Sequence, residues 1–235
     1  MQENNPIENK KEQIAGEIAD TVYLSSAYLA PVQYYSKLMH YKQVYLEAHC
    51  NYVKQTYRTR CDIAGANSTL TLSIPVDKGD MIKCPTKGIK ISYDTDWQRL
   101  HWKSIESAYR TSPFFDYYED DFRPFYEKKW NFLFDFNIEI QELILSLLSI
   151  DIKIQQTHTY KKDFASNELD LREIIHPKKS INADQQFEVI PYYQVFQEKL
   201  GFLPNLSIID LLFNMGNEAR LVLRNSWQPS SNIII

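Results

Sequence analysis

The run Lys54-Gln-Thr-Tyr-Arg-Thr-Arg60 sets three cations and a tyrosine within seven residues. Ammonium and guanidinium groups at that density suit a phosphate or carboxylate. The competing reading is a solvated basic face with partners among the chain's many acids. Trp97 and His101 lie one helical turn apart, so imidazole and indole share a face. Titration near neutrality makes His101 the best acid–base group, although a histidine on an apolar helix face is more often hydrogen-bonded inside a core. The segment Tyr28-Leu-Ala-Pro-Val-Gln-Tyr-Tyr35 follows a strand-like run. Tyr28 and Gln33 are thereby placed at a strand's carboxyl end, the edge where open α/β sheets bind ligands. The alternative there is a turn whose aromatic rings fill the core. Asn205, Ser207 and Asp210 read first as a helix start, with Ser207 as N-cap and Asp210 three residues on, as in a capping box. Glu119, Asp120 and Asp121 read as an exposed helix face.

Other chemistries are excluded by what the chain lacks. There is no phosphate-binding GxxxxGK[ST] or GxGxxG, no GxSxG, no HExxH and no EF-hand loop. With only 6 glycines, phosphates would be held by side chains or helix N-termini rather than a glycine-rich cradle. Cys50, Cys61 and Cys84 form no CxxC pair and are odd in number, which points to a reducing compartment, read here as the cytoplasm. His49 beside Cys50 points to the opposite face of a strand, so neither a metal site nor a cofactor is expected. A net charge of −4 and a pI of 5.8 give no support to nucleic-acid binding. A mean hydropathy of −0.42, with no apolar run of about 18 residues, predicts no membrane span.

The elements that must position these residues follow from periodicity. A chain of 235 residues fits one domain. Residues 1–20, polar and without an apolar leader core, read as a mobile or loosely helical arm. Residues 21–226 read as a single α/β domain, and 227–235 as a tail. Strand, helix and strand over 21–26, 32–41 and 43–48 make a βαβ opening to a short mixed sheet. Residues 51–62 are polar and basic, 69–76 alternate as a half-buried strand, 78–88 form a loop, and 88–93 a further strand. The middle is helical: 97–110 with Asp96 as N-cap, a second helix carrying Phe114, Tyr118, Phe122 and Phe125, and a third over 130–148. A strand over 152–157 follows. Residues 160–187 are short and irregular, suggesting a surface excursion or lid. Helices over 192–200 and from Ser207 to a stop at Gly216 close the domain.

Taken together, Tyr28-Leu-Ala-Pro-Val-Gln-Tyr-Tyr-Ser-Lys37, Lys54-x-x-Tyr-x-x-Arg60, Trp97-x-x-x-His101 and Pro204-Asn-Leu-Ser-Ile-Ile-Asp-Leu-Leu-Phe-Asn214 resemble the WbqC-like family, from about Val22 to Gly216. The resemblance implies a bacterial protein associated with surface polysaccharide, notably O-antigen, biosynthesis. Its family motifs fall on Tyr28, Tyr34, Lys37, Lys54, Tyr57, Arg60, Trp97, His101, Asn205, Ser207, Asp210 and Asn214. On that basis a small-molecule substrate is expected, a nucleotide-linked sugar being the natural class. Lys54 and Arg60 would hold its anion, His101 would take a proton, and Tyr28 with Gln33 would orient the sugar. The alternative is a non-catalytic sugar-binding or scaffold protein of the same pathway, for which the aromatic excess is suited.

Overall fold

The computed structural model describes residues 19–77, 79 and 83–228. The expected N-terminal arm up to residue 18, loop residues 78 and 80–82, and tail residues 229–235 lie outside the described residues.

The chain opens as β1 (Thr21–Ser25), α1 (Val32–His40) and β2 (Gln43–Glu47). Later β7 (Ile154–Gln156) and β8 (Glu168–Asp170) complete a parallel sheet of order β7-β2-β1-β8. β1 runs in register with β2 from Thr21↔Gln43 and with β8 from Thr21↔Glu168. Occupying a central position explains why Val22, Tyr23 and Leu24 are all buried; strands of parallel sheets are covered on both faces and need not alternate. Tyr23 and Tyr45, register partners, stack with ring centroids 5.0 Å apart.

Two small strand pairs are antiparallel, β3 (Arg60–Ala64) with β4 (Thr69–Ser73) and β5 (Val76–Asp77) with β6 (Lys90–Ile91). The α/β class and the parallel βαβ opening are as expected. β3, however, begins inside the segment 51–62 read as polar and basic; its buried residues are Cys61, Ile63 and Ala64, while Arg60 and Asp62 are only partly covered.

The helical middle is α2 (Trp97–Tyr109), α3 (Phe115–Glu127) and α4 (Leu133–Leu147). Trp97, His101, Ile105 and Ala108 form the buried stripe of α2. In α3 the buried face is Phe115, Tyr118, Phe122 and Tyr126, while Phe114 caps the helix and is exposed. The aromatic excess goes largely into this core. Trp97, Phe125 and Trp130 all pack on Phe136, with centroids 5.5 to 6.0 Å apart.

The C-terminal part holds α5 (Gln197–Leu200), α6 (Ile208–Met215) and α7 (Ala219–Asn225). α5 is far shorter than the helix expected from 192, and α7 lies beyond the expected stop at Gly216. Gly216 does end α6, with φ 53°. Ser207 occupies the N-cap position, but its Oγ donates to the Leu29 carbonyl at 2.7 Å and makes no capping bond. Asp96 likewise makes no capping bond and pairs with Arg99.

The excursion expected over 160–187 contains β8 and is tied down. Lys37, fully buried on α1, meets Asp184 at 2.8 Å, and the Tyr41 hydroxyl donates to Gln186 at 2.5 Å. Among the described residues no helix is long and apolar enough to cross a membrane.

Candidate functional site at the carboxyl edge of the sheet

β1 connects to β2 on one side, whereas β8 joins its other side after a crossover from β7. The chain therefore switches direction at β1/β8, and ligands of open α/β sheets bind in the crevice outside the carboxyl ends at such a point. Four polar groups gather at this edge. Glu47, at the end of β2, is fully buried and accepts from the Thr157 hydroxyl at 3.0 Å and from Arg172 Nη1 at 2.7 Å. Arg172, just past β8, also grips Asp170 through Nε and Nη2, both at 2.8 Å. Its charge is fully matched.

Arg58 differs. Its loop turns at Gln55, which has φ 60°, and is held by Asn137 of α4, whose Nδ2 donates to the Arg58 carbonyl at 2.9 Å. The side chain, 2% exposed as a residue, sends Nη2 to Ser25 Oγ at 2.7 Å and to Cys50 Sγ at 3.4 Å. Among the described residues, the one acid paired with it is Glu173, 3.7 Å away with a side chain 60% exposed. Among the described residues, Arg58 Nε and the hydroxyl of buried Ser26 have no hydrogen-bond partner.

Two adjoining cavities share Tyr57 and His176 in their walls. The inner one, about 10 Å³, is lined by Ser25, Ser26, Arg58 and Arg172 among apolar neighbours, and has room for one water-sized group. The outer one, about 260 Å³, is open and lined by Gln33, Asp62, Thr69, Ser180 and Asn205. Asn205, in the left-handed region at φ 54°, exchanges two bonds with Gln33: Gln33 N–H to Oδ1 at 2.9 Å and Nδ2 to Gln33 Oε1 at 3.2 Å. Gln33 Nε2 donates in turn to Asp184 at 3.0 Å. Burial pushes the Tyr57 phenol well above its ordinary pKa, so it remains a hydroxyl. His176 Nδ1 accepts the Lys178 backbone N–H at 3.0 Å, which leaves the ring proton on Nε2. Burial lowers its pKa and reinforces the neutral ring.

Of the residues singled out in the sequence, Gln33, Tyr57 and Asn205 therefore meet in one cleft. Tyr28, Trp97 and His101 meet elsewhere, in the core. The Tyr28 hydroxyl lies 3.0 Å from His101 Nδ1 and 2.9 Å from the Tyr126 hydroxyl, and Trp97 packs edge-on to His101 at 5.1 Å. Burial drives the His101 pKa down to about 4, so the ring is neutral at pH 7. Asp210, fully buried, accepts from Tyr109 (2.9 Å), Tyr192 (2.8 Å) and Gln194 (2.9 Å). Lys54 is exposed and Arg60 half-buried, and neither lines either cavity. Arg58, Ser26, Arg172 and His176 were not selected from sequence. Arg58 stood in the basic run, but nothing there tells which cation turns inward.

A wider groove of about 620 Å³ lies between α1 and α7, lined by Met39, His40, Arg220 and Arg224. His40 ends α1, so this groove is at the amino edge of the sheet, away from the switch point.

The sequence model of the WbqC-like protein family matches residues 26–222. The chain belongs to the WbqC-like protein family. Every wall residue of the two cavities except Leu24 and Ser25 lies within that match. Among curated proteins it is similar to "Uncharacterized protein Rv1507c" of Mycobacterium tuberculosis (strain ATCC 25618 / H37Rv), 24% identical over 194 residues that cover 74% of this chain and 84% of that protein. No solved structure matches.

Proposed function

We propose that this WbqC-like protein is a cytoplasmic enzyme of bacterial surface polysaccharide biosynthesis, of the O-antigen type, that transfers a glycosyl, acyl or aminoacyl group to or from an activated sugar. The observation that carries this reading is the outer cleft at the switch point. Its walls mix amides, hydroxyls, a carboxylate and a tyrosine ring, the donor and acceptor set that a polyhydroxylated ring requires. Tyr57, Asp62 and Asn205 are the groups for sugar hydroxyls, with Gln33 holding Asn205 in place. His176, neutral with its proton on Nε2, is a donor toward an oxygen on which negative charge develops. His101, Tyr28 and Trp97 support the end of β1 from inside.

The test is thermal unfolding of the full chain against nucleotide sugars, amino acids and acyl donors. A true substrate at about 100 Kd adds roughly 2.7 kcal/mol, and Asn205→Ala should lose most of that gain. Stabilisation without turnover of any donor–acceptor pair would favour the non-catalytic binding reading; no response to any compound would exclude both.

A further inference from the structure

Arg58 is a buried cation with an incomplete shell. Arg172, on the same edge, has two carboxylates within 2.8 Å. Arg58 has one, at 3.7 Å and largely in solvent. A charge taken out of water needs a close counter-charge and a full set of hydrogen bonds. Arg58 Nε has no partner among the described residues, nor has the hydroxyl of Ser26, which is 2% exposed. Both residues line the inner cavity, whose other walls include Leu24, Ala27, Leu171 and Ile175. A guanidinium N–H and a neighbouring hydroxyl, both unpaired in a small and mostly apolar space, suit an acceptor that carries negative charge.

We propose that Arg58 and Ser26 seat one oxygen of a phosphoryl or carboxylate group whose remainder lies in the outer cleft. Size supports a single oxygen: about 10 Å³ admits one water-sized group and not a whole phosphate. Position supports the rest, since Tyr57 and His176 border both cavities, so an anion at their junction is continuous with a sugar outside. Glu173 is the built-in competitor. Its carboxylate faces the same guanidinium and, being exposed, can turn away when the anion enters. The seat deepens the substrate-cleft reading by naming the charged part of the substrate, and rests on it for the location of the neutral part.

The experiment titrates inorganic phosphate and, separately, acetate into the full chain, with sodium chloride at matched ionic strength as control, and reads thermal unfolding. One of the two anions should give a saturable rise in melting temperature beyond chloride; which one does so identifies the group. Ser26→Ala, a small change, should weaken that binding by about tenfold or more, the loss of a hydrogen bond to a charged group. Glu173→Gln should strengthen it several-fold. Responses to both anions that match chloride, or Glu173→Gln binding no tighter than the parent, would overturn the seat. An uncharged monosaccharide forms a separate arm, sensitive to Asn205→Ala and not to Ser26→Ala. If the sugar binds and the anions do not, the seat fails and the cleft stands; the reverse removes the sugar reading and leaves the seat.

Discussion

Asp210 and His101 titrate in opposite senses inside the same protein. Burial raises the Asp210 pKa from its ordinary value to about 6, against the lowering by its three donors. The folded state thus holds that proton more tightly than the unfolded chain, and the stability it contributes is present below about pH 4 and lost as pH rises through about 6. His101 is depressed from 6.5 to about 4, so its contribution is lost as pH falls through about 4 and fully present above 6.5. The two slopes oppose each other over nearly the same window. Urea unfolding at several pH values should therefore show Asp210→Asn gaining stability with pH between about 4 and 6.5 more steeply than the parent. His101→Gln should lose stability over the same range relative to the parent; parallel curves for all three proteins would contradict the burial of both groups. For His176, long-range proton–nitrogen correlation NMR at pH 7 should find the proton on Nε2 and Nδ1 bare. At this scale the sequence was least legible. Arg58 and Arg60 are both arginines two residues apart, and which one enters the core depends on the turn at Gln55 and the grip of Asn137, neither of which has a local signature.

Elements with a strong period were readable from sequence, as α2 shows with Trp97, His101, Ile105 and Ala108 on one buried stripe. β8 was not. Glu168-Leu-Asp170 is three residues long, has no alternation to read, and exists as a strand because β1 offers it an open edge. The same segment that looked like a lid is fastened through Asp184 to Lys37 of α1. Removing one partner leaves the other charge buried, so Lys37→Met should cost about 3–5 kcal/mol in chemical denaturation. The double variant Lys37→Met with Asp184→Leu should recover part of that loss; equal cost for single and double variants would mean the pair does not couple the segment to α1. Ser207 gives a second element-scale test. Its hydroxyl bonds to Leu29 rather than to the helix it precedes, so Ser207→Ala should cost about 1 kcal/mol. Hydrogen exchange should then quicken at the β1–α1 turn before it does in α6; the opposite order would restore the capping role.

For the molecule as a whole, one asymmetry organises the rest. The parallel sheet has two ends, and the chain places the buried Glu47–Arg172 ion pair, its incompletely paired arginine and both adjoining cavities at the carboxyl one. The βαβ opening could be seen in the sequence because α1 and its flanking strands are contiguous. The switch point could not, because it depends on β8 returning to β1 with 147 between the residue numbers of each register pair, as in Val22↔Leu169. Mapping backbone amide shifts of the full chain with a nucleotide sugar tests the central claim most directly. The expected result is a contiguous set of perturbed amides at residues 25–27, 56–58, 174–176, 179–181, 203 and 205–206, which line the two cavities. Perturbations centred instead on the α1–α7 groove around His40, Arg220 and Arg224, with the carboxyl edge unchanged, would contradict it.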